Sequence, residues 1–170
     1  MEIRLASVND LSVLSEVEVE AGRLFAEHGM AEIAGDEGAP LSVLAEHQAA
    51  GHVWVAVADE KIVGYLTALP VDECLHVEQV SVRPSHGRQG IGGALLAAAA
   101  QCAVNEGRPA LTLTTFVEVP WNAPYYQRQG FRLLSEDELT PGLRAIRTRE
   151  AAMKLDKWPR TAMRRDLPSA

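Results

Sequence analysis

Residues 80–96 read VSVRPSHGRQGIGGALL: a β-branched run, a proline, a glycine-rich turn and the start of an apolar helix. A strand that becomes a helix over glycines is suited to holding an anion. The first helical turn leaves backbone N–H groups without intrahelical partners, and the helix dipole adds about half a positive charge there. Glycines remove side chains that would block a close approach, so a pyrophosphate fits such a site. Two common phosphate signatures fail on residues. A P-loop needs Gly-Lys-Ser/Thr, and this turn has no lysine. A dinucleotide fingerprint counted from Gly90 needs a third glycine where Leu95 stands. A tight turn with close helix–sheet packing and no ligand is the competing reading of Gly90 and Gly92.

Working outward, Ile3 and Leu5 mark a short strand, and Ser7 or Asn9 caps a helix with an apolar stripe of Leu11, Leu14, Val17, Leu24 and Phe25. Gly29 to Pro40 reads as a glycine-rich loop and Leu41 to Ala49 as a second short helix. Residues 52–69, HVWVAVADEKIVGYLTAL, form a hairpin turning at Ala58, Asp59 and Glu60. A third strand over Leu75–Val82 completes an antiparallel meander. The Ala/Leu helix from Gly90 reaches about Asn105, stopped by Gly107 and Pro109. The run ALTLTTF, 110–116, follows that crossover helix and is expected to be a buried strand with a parallel partner. A short helix breaking at Gly130, a strand over Phe131–Leu134, a helix from Pro141 to about Leu155 and a closing strand over Thr161–Leu167 finish a single domain, 1–170.

The 170 residues are 47% hydrophobic and 23% charged, which implies a folded core. A net charge of -7 opposes nucleic-acid binding, which needs a basic face. Cys74 and Cys102 have no metal-ligand spacing and are expected as reduced, mostly buried thiols; no metal is expected. The N-terminus lacks signal-peptide patterning, and no apolar run approaches the ~18 residues of a membrane span. The expectation is a cytoplasmic enzyme with no membrane partner.

The pattern V-x-V-x-P, the turn Gly87-Arg88-Gln89-Gly90-Ile91-Gly92 and the Ala/Leu helix resemble the acyl-CoA signature of the GNAT superfamily of N-acyltransferases, written Gln/Arg-x-x-Gly-x-Gly/Ala. Gly87 stands where Gln or Arg is usual, so at that position the grip is expected from backbone alone. Residues 122–131, NAPYYQRQGF, resemble the family's later motif, an asparagine and an aromatic-Tyr pair before Gly-Phe. The resemblance implies an α/β (α+β) fold: a mixed, mostly antiparallel central sheet with a splayed parallel strand pair, flanked by helices. It implies acetyl-CoA as cosubstrate. The pantetheine arm would pair with the backbone of Val80, Ser81 and Val82, and the pyrophosphate would lie on Gly87, Arg88, Gln89, Gly90, Ile91 and Gly92. Gly93 would allow close packing, Asn122 would bond the arm, and Tyr126 would lie near the thioester sulfur.

Acetyl transfer to an amine needs a base, because a free alkylammonium ionises near pH 10. It also needs donors for the tetrahedral oxyanion, which the family takes from backbone N–H groups of the CoA strand. In LHVEQVSV side chains alternate, placing His76, Glu78 and Val80 on one face and Val77, Gln79 and Ser81 on the other. A Glu in a partly desolvated cleft is a competent base, and an imidazole titrates near neutrality. The expected mechanism is direct attack in a ternary complex. Glu78, helped by His76, takes the amine proton, and Tyr126 matches the family's acid for the leaving thiolate. A non-catalytic acyl-CoA sensor of the same fold is the alternative. The GDEGAP loop and the ELTPGLRAI helix are expected to line the acceptor pocket. The amine acceptor itself is unread, and a homodimer is compatible with the resemblance.

Overall fold

The computed structural model describes residues 1–34 and 39–169. Seven strands form one sheet in the order β1-β2-β3-β4-β5-β7-β6. They are β1 (Glu2–Leu5), β2 (Val53–Ala58), β3 (Lys61–Val71), β4 (Cys74–Val82), β5 (Ala110–Phe116), β6 (Arg132–Leu133) and β7 (Arg160–Asp166). The helices are α1 (Leu11–Glu27), α2 (Ala31–Ala34), α3 (Leu41–Ala49), α4 (Ile91–Asn105), α5 (Ala123–Arg128) and α6 (Pro141–Ala152). Residues 1–69 with 78–99 make one compact unit, and residues 70–77 with 100–170 make a second. Both β4 and α4 run through the two.

In the first unit the expected turns have the expected chemistry. Asp59 and Glu60 both adopt the left-handed conformation, with φ of 50° and 64°, as a two-residue hairpin requires. The hairpin pairs β2 with β3 antiparallel, with a bulge at Ala56/Val57, and β1 adds antiparallel to β2. Asp10 closes a capping box on Ser7 and accepts from Arg4 at 2.7 Å. The guanidinium and the Ser7 N–H and hydroxyl outweigh burial and bring the Asp10 carboxyl down to about 2. The apolar stripe of α1 packs Leu11, Leu14 and Val17 with Leu44, Val53, Val55 and Tyr65. Each such side chain contributes roughly 1.5–3 kcal/mol on full burial. Leu24 and Phe25 are only half-buried, since the stripe leaves the core in the last turns of α1.

In the second unit β4 pairs parallel with β5 at two positions, Leu75 with Leu111 and His76 with Thr112. The antiparallel β5–β7 ladder runs for seven, from Ala110–Asp166 to Phe116–Arg160. The closing strand therefore lies between β5 and β6, to which it also pairs antiparallel. A partly buried ion cluster joins β5 and β7 to α6. Arg160 binds Glu150 at 3.0 Å and lies 4.3 Å from the Phe116 ring centroid. Glu150 also holds Arg147 at 2.9 Å and accepts from Thr114.

Two boundaries and the burial of one cysteine differ from expectation. Gly29 ends α1 with φ of 79°, but the segment after it holds the helical turn α2 rather than continuous loop; residues 35–38, most of the GDEGAP stretch, lie outside the described residues. The helix from Pro141 stops at Ala152, where left-handed Lys154 (φ 63°) breaks it before a short 3-10 turn over Leu155–Lys157. Both cysteines are free; Cys74 is buried, but Cys102 is only half-buried. Among the described residues no helix is long and apolar enough to cross a membrane.

Candidate active site

In the first unit the last five residues of β4, Glu78–Val82, lead through a 3-10 turn (Pro84–His86) to the helix α4. Arg83 anchors the end of the strand. Its backbone N–H donates to Val63 at 2.8 Å, and its guanidinium reaches the Ile62 carbonyl and the carboxylates of Glu16 and Glu20. Gly87, Arg88, Gln89 and Gly90 are exposed. The chain reverses there through two left-handed residues, Arg88 at φ 60° and Gly90 at φ 79°. Gly90 then caps α4, its carbonyl accepting from the Ala94 N–H at 3.0 Å. Ile91 and Gly92 are buried beneath the turn. This geometry points the first amides of α4 out of the helix end, where an anion is favoured by both the unfilled donors and the dipole.

The alternation expected along β4 holds only from Val77 onward. Cys74, Leu75, His76 and Val77 are all buried; then Glu78 is exposed while Ser81 is buried. The amide of Gln79 donates to the Ser81 hydroxyl at 2.7 Å, so these two share a face as expected. Val80 and Val82 are half-buried.

Glu78 is held by a residue the sequence did not single out. The Nε2–H of His47, in the last turn of α3, donates to Glu78 Oε2 at 2.8 Å. The imidazole side chain is 13% exposed and the carboxylate 49%. Nearby, the Tyr65 hydroxyl donates to Glu18 at 3.1 Å. Burial first, then the negative charges of Glu18 and Glu78, drive this phenol far above its ordinary range. A lone histidine in a short amphipathic helix carries no sequence signal for a partner 31 residues away.

In the second unit His76 is 4% exposed and its Nδ1 shares a hydrogen bond with Thr112 Oγ1 at 2.9 Å. Glu78 and His76 thus engage different partners. Asn122 precedes α5 and its carbonyl accepts from the Tyr126 N–H at 2.9 Å. The Tyr126 ring sits edge-on to Tyr125 at 5.4 Å and to Phe131 at 5.8 Å. Burial, reinforced by Tyr125, pushes the Tyr126 phenol well above its ordinary value, so it stays protonated at neutral pH. The two thiols are poor nucleophiles. Burial, then Glu106, lifts Cys102 to about 11, and burial lifts Cys74 against the opposing charge of Arg164. A nucleophilic cysteine needs the reverse shift.

Residues 18–131 match the model of the acetyltransferase (GNAT) family. Human N-acetyltransferase 8 is 35% identical over 85 residues, 46% of this chain and 37% of that protein, so the match spans well under half of the relative's length. Two solved structures share the fold over nearly the whole of both chains. A GNAT-family acetyltransferase from Staphylococcus aureus superposes with a TM-score of 0.75 at 17% identity, covering 98% of this chain and 99% of the other. The PaiA N-acetyltransferase of Thermoplasma acidophilum, solved with coenzyme A, gives 0.68 at 18% identity, covering 97% and 98%.

Proposed function

Because the chain belongs to the GNAT acetyltransferase family, we propose that it transfers an acetyl group from acetyl-CoA to a primary amine by direct attack in a ternary complex. The observation that carries this reading is the turn after β4. Two left-handed residues, Arg88 and Gly90, bring four exposed positions to the open end of α4. A pyrophosphate matches that end in charge and in hydrogen-bonding capacity. Val80, Ser81 and Val82 are the backbone against which the pantetheine pairs, and Asn122 bonds the arm.

In the proposed reaction Glu78 accepts a proton from the ammonium and the neutral nitrogen attacks the thioester carbon. The C–N bond forms, the nitrogen of the tetrahedral intermediate releases its second proton to solvent, the intermediate collapses with loss of the C–S bond, and Tyr126 gives its proton to the departing thiolate and is reprotonated from solvent. A phenol is protonated at neutral pH, which is the state this step requires. The buried ring of His76, bonded to Thr112, supports a part in holding β4 to β5 in register. The raised thiols of Cys74 and Cys102 argue against an acetyl-cysteine intermediate.

The test is thiol release from acetyl-CoA against a panel of polyamines, amino acids, aminoglycosides, peptide N-termini and lysine peptides, with product identified by mass. At least one amine is expected to be acetylated. Glu78→Gln and Tyr126→Phe are expected to lower kcat by ~10²-fold while CoA affinity stays near wild type. Tight CoA binding with no release across the panel would overturn the enzyme reading in favour of a sensor, and a burst of acetyl-enzyme without acceptor would overturn direct attack.

A further inference from the structure

We propose that His47 is a positioning residue for the acetyl transfer, holding the Glu78 carboxylate through its Nε2–H. The inference rests on the reading of Glu78 as the base. Glu78 lies on a strand, yet its side chain is about half exposed, and a glutamate in that setting keeps much of its rotamer freedom. A base that wanders is slow, because proton transfer needs a fixed heavy-atom distance. The 2.8 Å contact from His47 removes that freedom.

The imidazole is itself well fixed. It lies one helical turn beyond Leu44, which is buried in the core of the same unit and anchors α3. Residues three apart share a helix face. The His47 carbonyl accepts the His52 N–H at 3.0 Å, so the chain leaving the helix is tied to it directly before β2. The ring is also the less exposed partner, 13% against 49%. It therefore acts as the fixed point and Glu78 as the group presented outward. The C-terminal turn of a helix favours a donor or cation over an acceptor, which suits an imidazole that gives its N–H to a carboxylate.

The experiment uses the full chain, acetyl-CoA and the amine of the panel that is acetylated fastest. His47→Leu is expected to lower kcat ~10-fold, equivalent to ~1.4 kcal/mol, with the KM for acetyl-CoA within ~2-fold of wild type. His47→Gln, which keeps an N–H at comparable reach, is expected to recover most of that loss. In a Glu78→Gln background, His47→Leu is expected to cost nothing further, since coupled residues fail to add. Equal losses in both backgrounds, or full activity of His47→Leu, would overturn the proposal. A separate readout leaves His47 in place. The imidazole nitrogen signals of His47 are expected to shift on Glu78→Gln, and unmoved signals would overturn the contact itself. Full activity of Glu78→Gln with a shifted imidazole signal would instead remove Glu78 as the base and the positioning role with it, while the contact stands.

Discussion

Adding one methyl group at Gly64 tests whether the turn after β4 is a binding seat. Gly64 sits in β3 opposite Ala56. A Cβ there would lie 3.0 Å from the Ser81 carbonyl oxygen and 3.3 Å from both Ile91 Cγ2 and Val82 Cγ2. Carbon pairs prefer about 3.5–4.0 Å, so three neighbours must give by tenths of an ångström, and one of them is backbone. Replacing a strand glycine with alanine returns about 0.5–1 kcal/mol of conformational entropy. Overpacking costs about 1–3 kcal/mol, so the crowding wins and Gly64→Ala loses about 1 kcal/mol. In a chain of this size that lowers Tm by about 2–4 °C. The displaced groups are the end of β4 and the first residue of α4, so calorimetric titration is expected to show CoA binding weakened ~5-fold. Gly51→Ala is the control. Its φ is +79° with nothing within 4 Å of a Cβ, so it loses a similar ~1–2 kcal/mol from backbone strain without touching the turn, and CoA affinity holds. A lowered Tm in Gly64→Ala with unchanged CoA affinity would refute the assignment of the turn, and a raised Tm would refute the crowding.

Gly142→Ala is expected to destabilise by about 1–3 kcal/mol, although alanine in a helix ordinarily gains about 1 kcal/mol over glycine. Its Cβ would meet Val71 Cγ1 at 2.6 Å and Asp72 Oδ2 at 2.7 Å, and Asp72 accepts the Gly142 N–H at 3.0 Å. A higher urea midpoint at constant m would contradict this. The Glu150 cluster sets part of the acid sensitivity. Burial alone would raise this carboxyl, but Arg160, Thr114 and Arg147 together hold it below its ordinary value. A depressed folded pKa stabilises above the unfolded value near 4.3 and loses that contribution as pH falls through the folded one. Glu150→Gln is therefore expected to cost about 1.5–3 kcal/mol at pH 7 and to flatten the fall of unfolding free energy below about pH 4; an unchanged acid slope in urea titrations would refute it.

Elements whose signals are local were legible in the chain. Asp59-Glu60 between two β-rich runs and Gly90 between VSV and an Ala/Leu run each encode their turn within a few residues, and both turns formed as read; Ser7 opens a 3-10 turn, and Asp10 rather than Ser7 or Asn9 is the N-cap of α1. Gly29 marked the end of α1, but the end of α6 was not legible, and in both helices apolar spacing continues past the point where the core stops covering it. That left Leu24 and Phe25 half-buried, while left-handed Lys154 halts α6 before Leu155. The alternation along β4 also failed in its first half, where residues 74–77 are buried on both faces.

By itself the sequence determined the family, the order of the elements other than α2, and the glycine turn between β4 and α4, since a short run of backbone preferences is enough to specify each. Only the tertiary structure decided which side chains meet. His47 found Glu78 across 31 residues and His76 found Thr112 across 36, and β7 entered between β5 and β6. Such pairings depend on where a chain returns after folding, and a hydrogen bond between distant residues leaves no periodicity in either segment that makes it.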